Sequence, residues 1–201
     1  WGLRMDGDVR EAALEATGTS HSDASFHYVE IGVASGATLA AMALLLEGCG
    51  IRYRCDGVDI ANGWSYDKEE AKRRMWANPF PYHWQLWDCG SFIFLKRYVD
   101  AIDFLLIDGC HCFECCFRDF VMAEPLIRVG GMVAFHDVDV ENQCKSEELQ
   151  HWGEKLIEVR RAVQELGLLD GSRPGWEVWK ETGYNWQTAA RGMLFVRKVS
   201  E

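Results

Sequence analysis

Two aspartates and two histidines stand where apolar runs end. In "AIDFLLIDGCH", residues 101–111, Asp108 closes a greasy stretch and His111 follows three positions later; in "GGMVAFHD", residues 130–137, His136 and Asp137 close another. Carboxylates brought together at neighbouring strand ends suit a hard divalent cation such as magnesium or manganese, and an imidazole among them shifts the preference toward manganese, iron or zinc. Asp108, His136 and Asp137 are therefore candidate metal ligands. An imidazole that titrates near neutrality can also take a proton from a reacting hydroxyl, which makes His111 a candidate base. A plainer reading stays open, with His111 capping the loop before a helix and Asp137 accepting backbone N–H groups.

The same region, "IDGCHCFECCFRDF" over residues 107–120, holds four cysteines. Cys112-x-x-Cys115 has a spacing that zinc accepts, but a tetrahedral site needs a second pair from Cys110, Cys116 or distant thiols. On a helix Cys116 would share the apolar side with Phe113 and Phe117, about 100° round from Cys115, so those two are not expected to hold one ion. Most of the thiols are read as small buried hydrophobes. Eight cysteines in a chain of 201 residues without an export signal do not read as a disulfide framework, and reduced thiols are expected.

The elements that must position these groups alternate between short apolar strands and amphipathic helices, the rhythm of a mostly parallel sheet covered on both faces. After a helix around Val9–Ala16, strands are expected over 26–32, 52–60, 82–88, 101–108 and 130–137. Phe113, Cys116, Phe117, Phe120 and Val121 recur at helical spacing and predict one apolar face, with a stop near Pro125 and a turn at Gly130-Gly131. Glu147 to Leu166 reads as a further helix, and "GWEVWKE" with "RGMLFVRK" as a closing antiparallel pair. The stretch Ala61–Pro81 is the least readable, and its "NPFP" (Asn78–Pro81) is taken as a loop stop. Trp64, Tyr66, Trp76, Phe80, Tyr82, Trp84, Trp176, Trp179 and Trp186 are expected in the core or an interface, with the wall of a substrate pocket as the sharper alternative.

"VEIGVASGATLAAMALLL" is a buried strand, a turn with Gly32 and Gly36, and a helix whose N-terminal N–H groups point outward. The spacing Gly-x-x-x-Gly lacks the dinucleotide fingerprint Gly-x-Gly-x-x-Gly, so a pyrophosphate is the weaker ligand. Asp59, at the end of the second strand, stands where an acid in doubly wound folds receives ribose hydroxyls. Glu30 adds an acid that suits an ammonium group. The bland alternatives are that Glu30 fixes the glycine turn and Asp59 caps a strand end.

At these residues the chain resembles a family. Glu30-Ile31-Gly32-Val33-Ala34-Ser35-Gly36 is similar to the first motif of class I S-adenosylmethionine-dependent methyltransferases, acid-x-Gly-x-Gly-x-Gly, with Ala34 in place of the middle glycine. "IDGCHCFECCFRDFVMAEPLIRVGGMVAFHD" is similar to the "IDGDHSYE…PLLRPGGxxxFHD" stretch of a small-molecule O-methyltransferase subfamily. The resemblance spans most of Tyr28 to Asp137. It implies a Rossmann-like α/β sheet, mostly parallel with an antiparallel C-terminal strand. The length suits one domain over 1–201, expected to comprise an N-terminal helical segment (1–25), a cofactor-binding core (26–140) and a C-terminal helix with the strand pair (141–201). By the same resemblance Glu30, Gly32, Ser35 and Gly36 would surround the methionine part of S-adenosylmethionine and Asp59 its ribose. Asp88 and Ser91, in "DCGS", would lie near adenine. In metal-dependent members Asp108, His136 and Asp137 would be ligands and His111 the base, although an acid usually fills the position of His136.

Composition narrows the partners. A net charge of −10 argues against a phosphate backbone, which is bound through clustered Lys and Arg; Lys72, Arg73 and Arg74 beside Glu69 and Glu70 read as a solvated helix face. The longest apolar run, Leu39–Leu46, falls far short of a bilayer span of about 20 residues. A cytoplasmic protein acting on a small-molecule substrate is expected, with no nucleic acid or membrane partner and a homodimer left open. The competing readings are an NAD(P)-dependent oxidoreductase and a cofactor-binding module of the same fold without turnover.

Overall fold

The computed structural model describes residues 7–18, 25–60, 67–77, 83–138, 158–185 and 190–201. Seven strands form one sheet in the order β3-β2-β1-β4-β5-β7-β6. They are β1 Phe26–Ile31, β2 Tyr53–Asp59, β3 His83–Asp88, β4 Ile102–Ile107, β5 Ile127–His136, β6 Trp176–Asn185 and β7 Ala190–Lys198. Strands β1 to β5 pair in parallel, and β7 runs antiparallel to both of its neighbours, β5 and β6. The expected α/β sheet with one reversed C-terminal strand is thus the observed one.

The two central strands explain the class. Every residue of β1 and of β4 is buried, as a parallel sheet covered on both faces requires. Helices α1 (Gly7–Gly18), α2 (Ala37–Gly48) and α3 (Lys68–Ala77) share one core layer with Tyr28, Phe104 and Phe195. Helices α4 (Ser91–Arg97), α5 (Phe113–Ala123) and α6 (Val159–Glu165) share the other with Val29, Leu105 and Phe135. Trp176 is buried against Phe120, and Trp179 packs edge-on against Phe195, so these two aromatics belong to the core. Trp64, Tyr66, Phe80, Tyr82 and Trp186 lie outside the described residues, as do "NPFP" and residues 147–157 of the long C-terminal helix predicted from sequence.

Two expectations are corrected. Helix α5 buries Cys116, Asp119, Phe120 and Ala123 and packs Phe113 and Phe117 against the same core, whereas Val121, at the edge of the predicted face, is exposed. Gly130-Gly131 does not precede β5 but lies inside it. The pairing with β4 jumps there from Ile102–Ile127 to Phe104–Met132, and a side chain at Gly131 would come within 2.9 Å of the Arg128 carbonyl. The basic triplet is the solvated face foreseen: Lys72 pairs with Glu69, and Arg73 and Arg74 with Glu70. Among the described residues no helix is long and apolar enough to cross a membrane.

A buried polar network that starts at the amino end of β1 ties the sheet together. His27 Nε2 contacts Asp56 Oδ2 at 2.8 Å, which also receives Tyr98 Oη at 2.9 Å, while Trp87 Nε1 donates to Asp56 Oδ1 at 3.0 Å. The chemistry-bearing acids lie at the other end.

Candidate active site

The carboxyl ends of β1, β2, β4 and β5 carry Glu30 with the glycine turn, Asp59, Asp108 and His136-Asp137. Gly32 has φ 93° and Gly36 φ 74°. A Cβ on Gly32 would fall 2.1 Å from the carbonyl oxygen of Asp108, so only glycine lets the first turn press against the loop after β4. Asp59 holds this turn. Its Oδ2 accepts the N–H groups of Val33 (2.8 Å) and Ala34 (3.0 Å), and its Oδ1 accepts Ile60 N at 2.8 Å. The strand-end acid read from sequence therefore organises the glycine turn, and Ile60 beside it is an exposed apolar residue near Gly90.

Glu30 is buried, and Tyr28 Oη donates to its Oε2 at 2.8 Å. Burial raises its pKa well above the usual carboxyl value; the bond from Tyr28 opposes that rise, and Asp108 and Asp59 reinforce it. Asp88, in register beside Asp59, pairs with Lys68 at the start of α3. Ser91 Oγ donates to Asp119 Oδ1 at 2.6 Å, joining α4 to α5. Ser35 lies in the turn between Gly32 and Gly36. Tyr28, Lys68 and Asp119 were not singled out from sequence, where no local pattern marks a side chain by the partner it meets.

Asp108, His111, His136 and Asp137 do come together. His136 Nδ1 lies 3.0 Å from Asp108 Oδ1 and 3.0 Å from Asp137 Oδ1; His111 Nε2 lies 3.3 Å from Asp108 Oδ1 and 3.5 Å from Asp137 Oδ2. One ligand atom from each of Asp108, His111 and His136 fits within 4.8 Å of the others. Asp137 reaches the group because its φ of 60° breaks strand alternation, so that it and His136 face the same side. Burial disfavours a charged His136, yet the carboxylates of Asp108 and Asp137 outweigh it and lift the imidazole to about 10. Burial likewise opposes ionisation of Asp108, and the two histidines overcome it and lower its pKa. Both carboxylates thus favour the imidazolium form of His136.

Residues 29–138 match the family model described as a methyltransferase domain. No curated protein matches the chain. Among solved structures it is similar to the O-methyltransferase TomG from Streptomyces achromogenes, involved in tomaymycin synthesis and solved in complex with SAM. There the TM-score is 0.69 at 14% identity, over 98% of this chain and 82% of that one. It is also similar to a putative O-methyltransferase from Klebsiella pneumoniae (TM-score 0.67, 14% identity, 98% and 92% covered) and to the O-methyltransferase NovP (0.65, 16%, 96% and 78%). At such identities the structures speak for the fold; the family model covers more than half of the chain. With its strand order and its glycine turn set against an acidic loop, the chain belongs to the methyltransferase-domain family and is a class I S-adenosylmethionine-dependent methyltransferase.

Proposed function

We propose that this methyltransferase acts on a hydroxyl of a small molecule, with His111 as the base and a divalent cation held by Asp108, His136 and Asp137. The observation that carries the reading is the seam between two walls. The glycine turn touches the Asp108 carbonyl so closely that Gly32 admits no side chain, which puts the cofactor turn and the acid–imidazole cluster side by side. Bound S-adenosylmethionine supplies a methyl group on a sulfonium, displaced in line, so the protein must align the acceptor and remove its proton. On this reading Asp59 faces the ribose while its other bonds hold the turn. Ile60 and Gly90 offer the adenine ring an apolar surface, with Asp88 at its edge, and Glu30 and Ser35 serve the methionine end. Asp108 and Asp137 orient His111, whose Nε2 contacts both.

The donor set suits a cation, since two carboxylates and an imidazole nitrogen converge within 3.0 Å contacts. A divalent ion there would lower the pKa of a hydroxyl it binds. Its entry must release the His136 proton, which makes its affinity fall with falling pH. The net charge of −10 favours a small acceptor over a nucleic acid.

The test is transfer of labelled methyl from S-adenosylmethionine to a panel of hydroxyl compounds, with and without a chelator. Asp108→Asn is expected to cut transfer by about 10²-fold or more, the scale of a lost acid–base group, while S-adenosylhomocysteine affinity stays within about twofold. Full transfer in Asp108→Asn would end the proposal. Transfer that is insensitive to chelation would remove the cation. A blank panel with cofactor still bound would favour a binding module.

A further inference from the structure

The loop that carries His111 also carries three thiols that the proposed reaction does not use. Cys110 and Cys112 flank the histidine, and Cys115 lies in the first turn of α5. Cys110 Sγ and Cys112 Sγ are 3.2 Å apart, and one sulfur from each of Cys110, Cys112 and Cys115 lies within 4.8 Å of the others. Cys116 is buried in the core, in keeping with its place on the apolar side of the helix, and the third thiol of the group is Cys110. Arg118 Nη2 approaches Cys115 Sγ at 3.7 Å, while burial and the neighbouring sulfurs push the Cys115 thiol up to about 12, so an ion that binds here must displace protons. Cys110 is exposed and the other two are half-buried, so an ion can enter from solvent.

We propose that Cys110, Cys112 and Cys115 form a binding site for a thiophilic d10 cation, zinc(II) or copper(I), separate from the oxygen- and imidazole-rich cluster beside it. Metal–sulfur bonds of about 2.3 Å place sulfurs about 3.7–4.0 Å apart, a spacing these side chains reach by small rotations. Soft sulfur ligands select these ions, while the carboxylate-bearing neighbour suits harder ones. Each thiol that ligates gives its proton to solvent. The ion would clamp the backbone on both sides of His111 to the start of α5, so the loop that aims the histidine is pinned at a second point besides the Glu158 N–H bond to the His111 carbonyl. The site stands whether or not the hydroxyl-methylation reading does.

The experiment titrates the full chain, metal-free and fully reduced under anaerobic conditions, with Co²⁺ as the optical stand-in for zinc and, separately, with Cu⁺. A sulfur-to-metal charge-transfer band that saturates at one equivalent is expected. Oxygen and imidazole ligands do not produce this band, so it reports the thiol site alone. It should vanish in the triple variant Cys110→Ser/Cys112→Ser/Cys115→Ser and weaken at least tenfold in Cys112→Ser. It should persist in Cys49→Ser, at the far end of α2, and in Asp108→Asn, at the neighbouring cluster. Circular dichroism of each variant confirms that the fold is kept; because the three residues are at least partly exposed, serine is tolerated. A band with Co²⁺ assigns zinc, and a band with Cu⁺ alone assigns copper. Absence of any sulfur band with both ions, or a band that survives in the triple variant, would overturn the site.

Discussion

Ala34 sits with φ 48° where the family pattern has glycine. A side chain in this left-handed region costs about 1–2 kcal/mol, and the structure holds it there through the Asp59 carboxylate on the Val33 and Ala34 N–H groups. Replacing it with glycine relieves that strain but adds about 0.4–1 kcal/mol of chain entropy to the unfolded state. Ala34→Gly is therefore expected to raise stability by about 0.5–1 kcal/mol in denaturant unfolding. A loss of stability would show that Ala34 is not strained. The residue types of the site were legible at this scale: a glycine turn and acids at strand ends are local signals. Their partners were not. Nothing beside Ser91 in the chain announces Asp119, and nothing beside Glu30 announces that burial favours its neutral form against the bond from Tyr28.

At the scale of elements, α5 shows how a polar residue displaces an apolar one on a buried face. Asp119 is buried and meets Ser91 of α4, while Val121 turns outward. Burial lifts the Asp119 carboxyl to about 6, against the bond from Ser91 and the charge of Arg118. The unfolded chain gives up this proton near pH 3.8 and the folded chain keeps it to about pH 6. This contribution to stability is thus full below about pH 4, declines as the pH rises, and is gone above about pH 6. Asp119→Asn, which keeps an acceptor for Ser91, is expected to stabilise the protein by about 1–3 kcal/mol at pH 7 and not at pH 3.5, read from unfolding curves at both values. An equal effect at the two pH values would show that the carboxylate is not the cause.

For the whole molecule, the strand order β3-β2-β1-β4-β5-β7-β6 reverses between β1 and β4, and open α/β sheets bind ligands at such a switch point. Ligand bound there stabilises the entire fold by mass action. S-adenosylhomocysteine at about one hundred times its Kd should add about 2.7 kcal/mol, or about 5–10 °C in melting temperature for a domain of this size. NADH should add nothing, and a shift with NADH alone would contradict the family assignment. Hydrophobic periodicity, the glycine turn and the acids closing β2 and β4 were readable directly from the chain, because each depends on residues a few positions apart. The meeting of Asp108 with His111, His136 and Asp137 could be anticipated only through the guess that β4 and β5 are neighbours. The three-thiol cluster, the Ser91–Asp119 bond and the polar network under the sheet were settled by the tertiary structure alone. They join groups through loop conformation, strand register and helix rotation, which local sequence patterns do not encode.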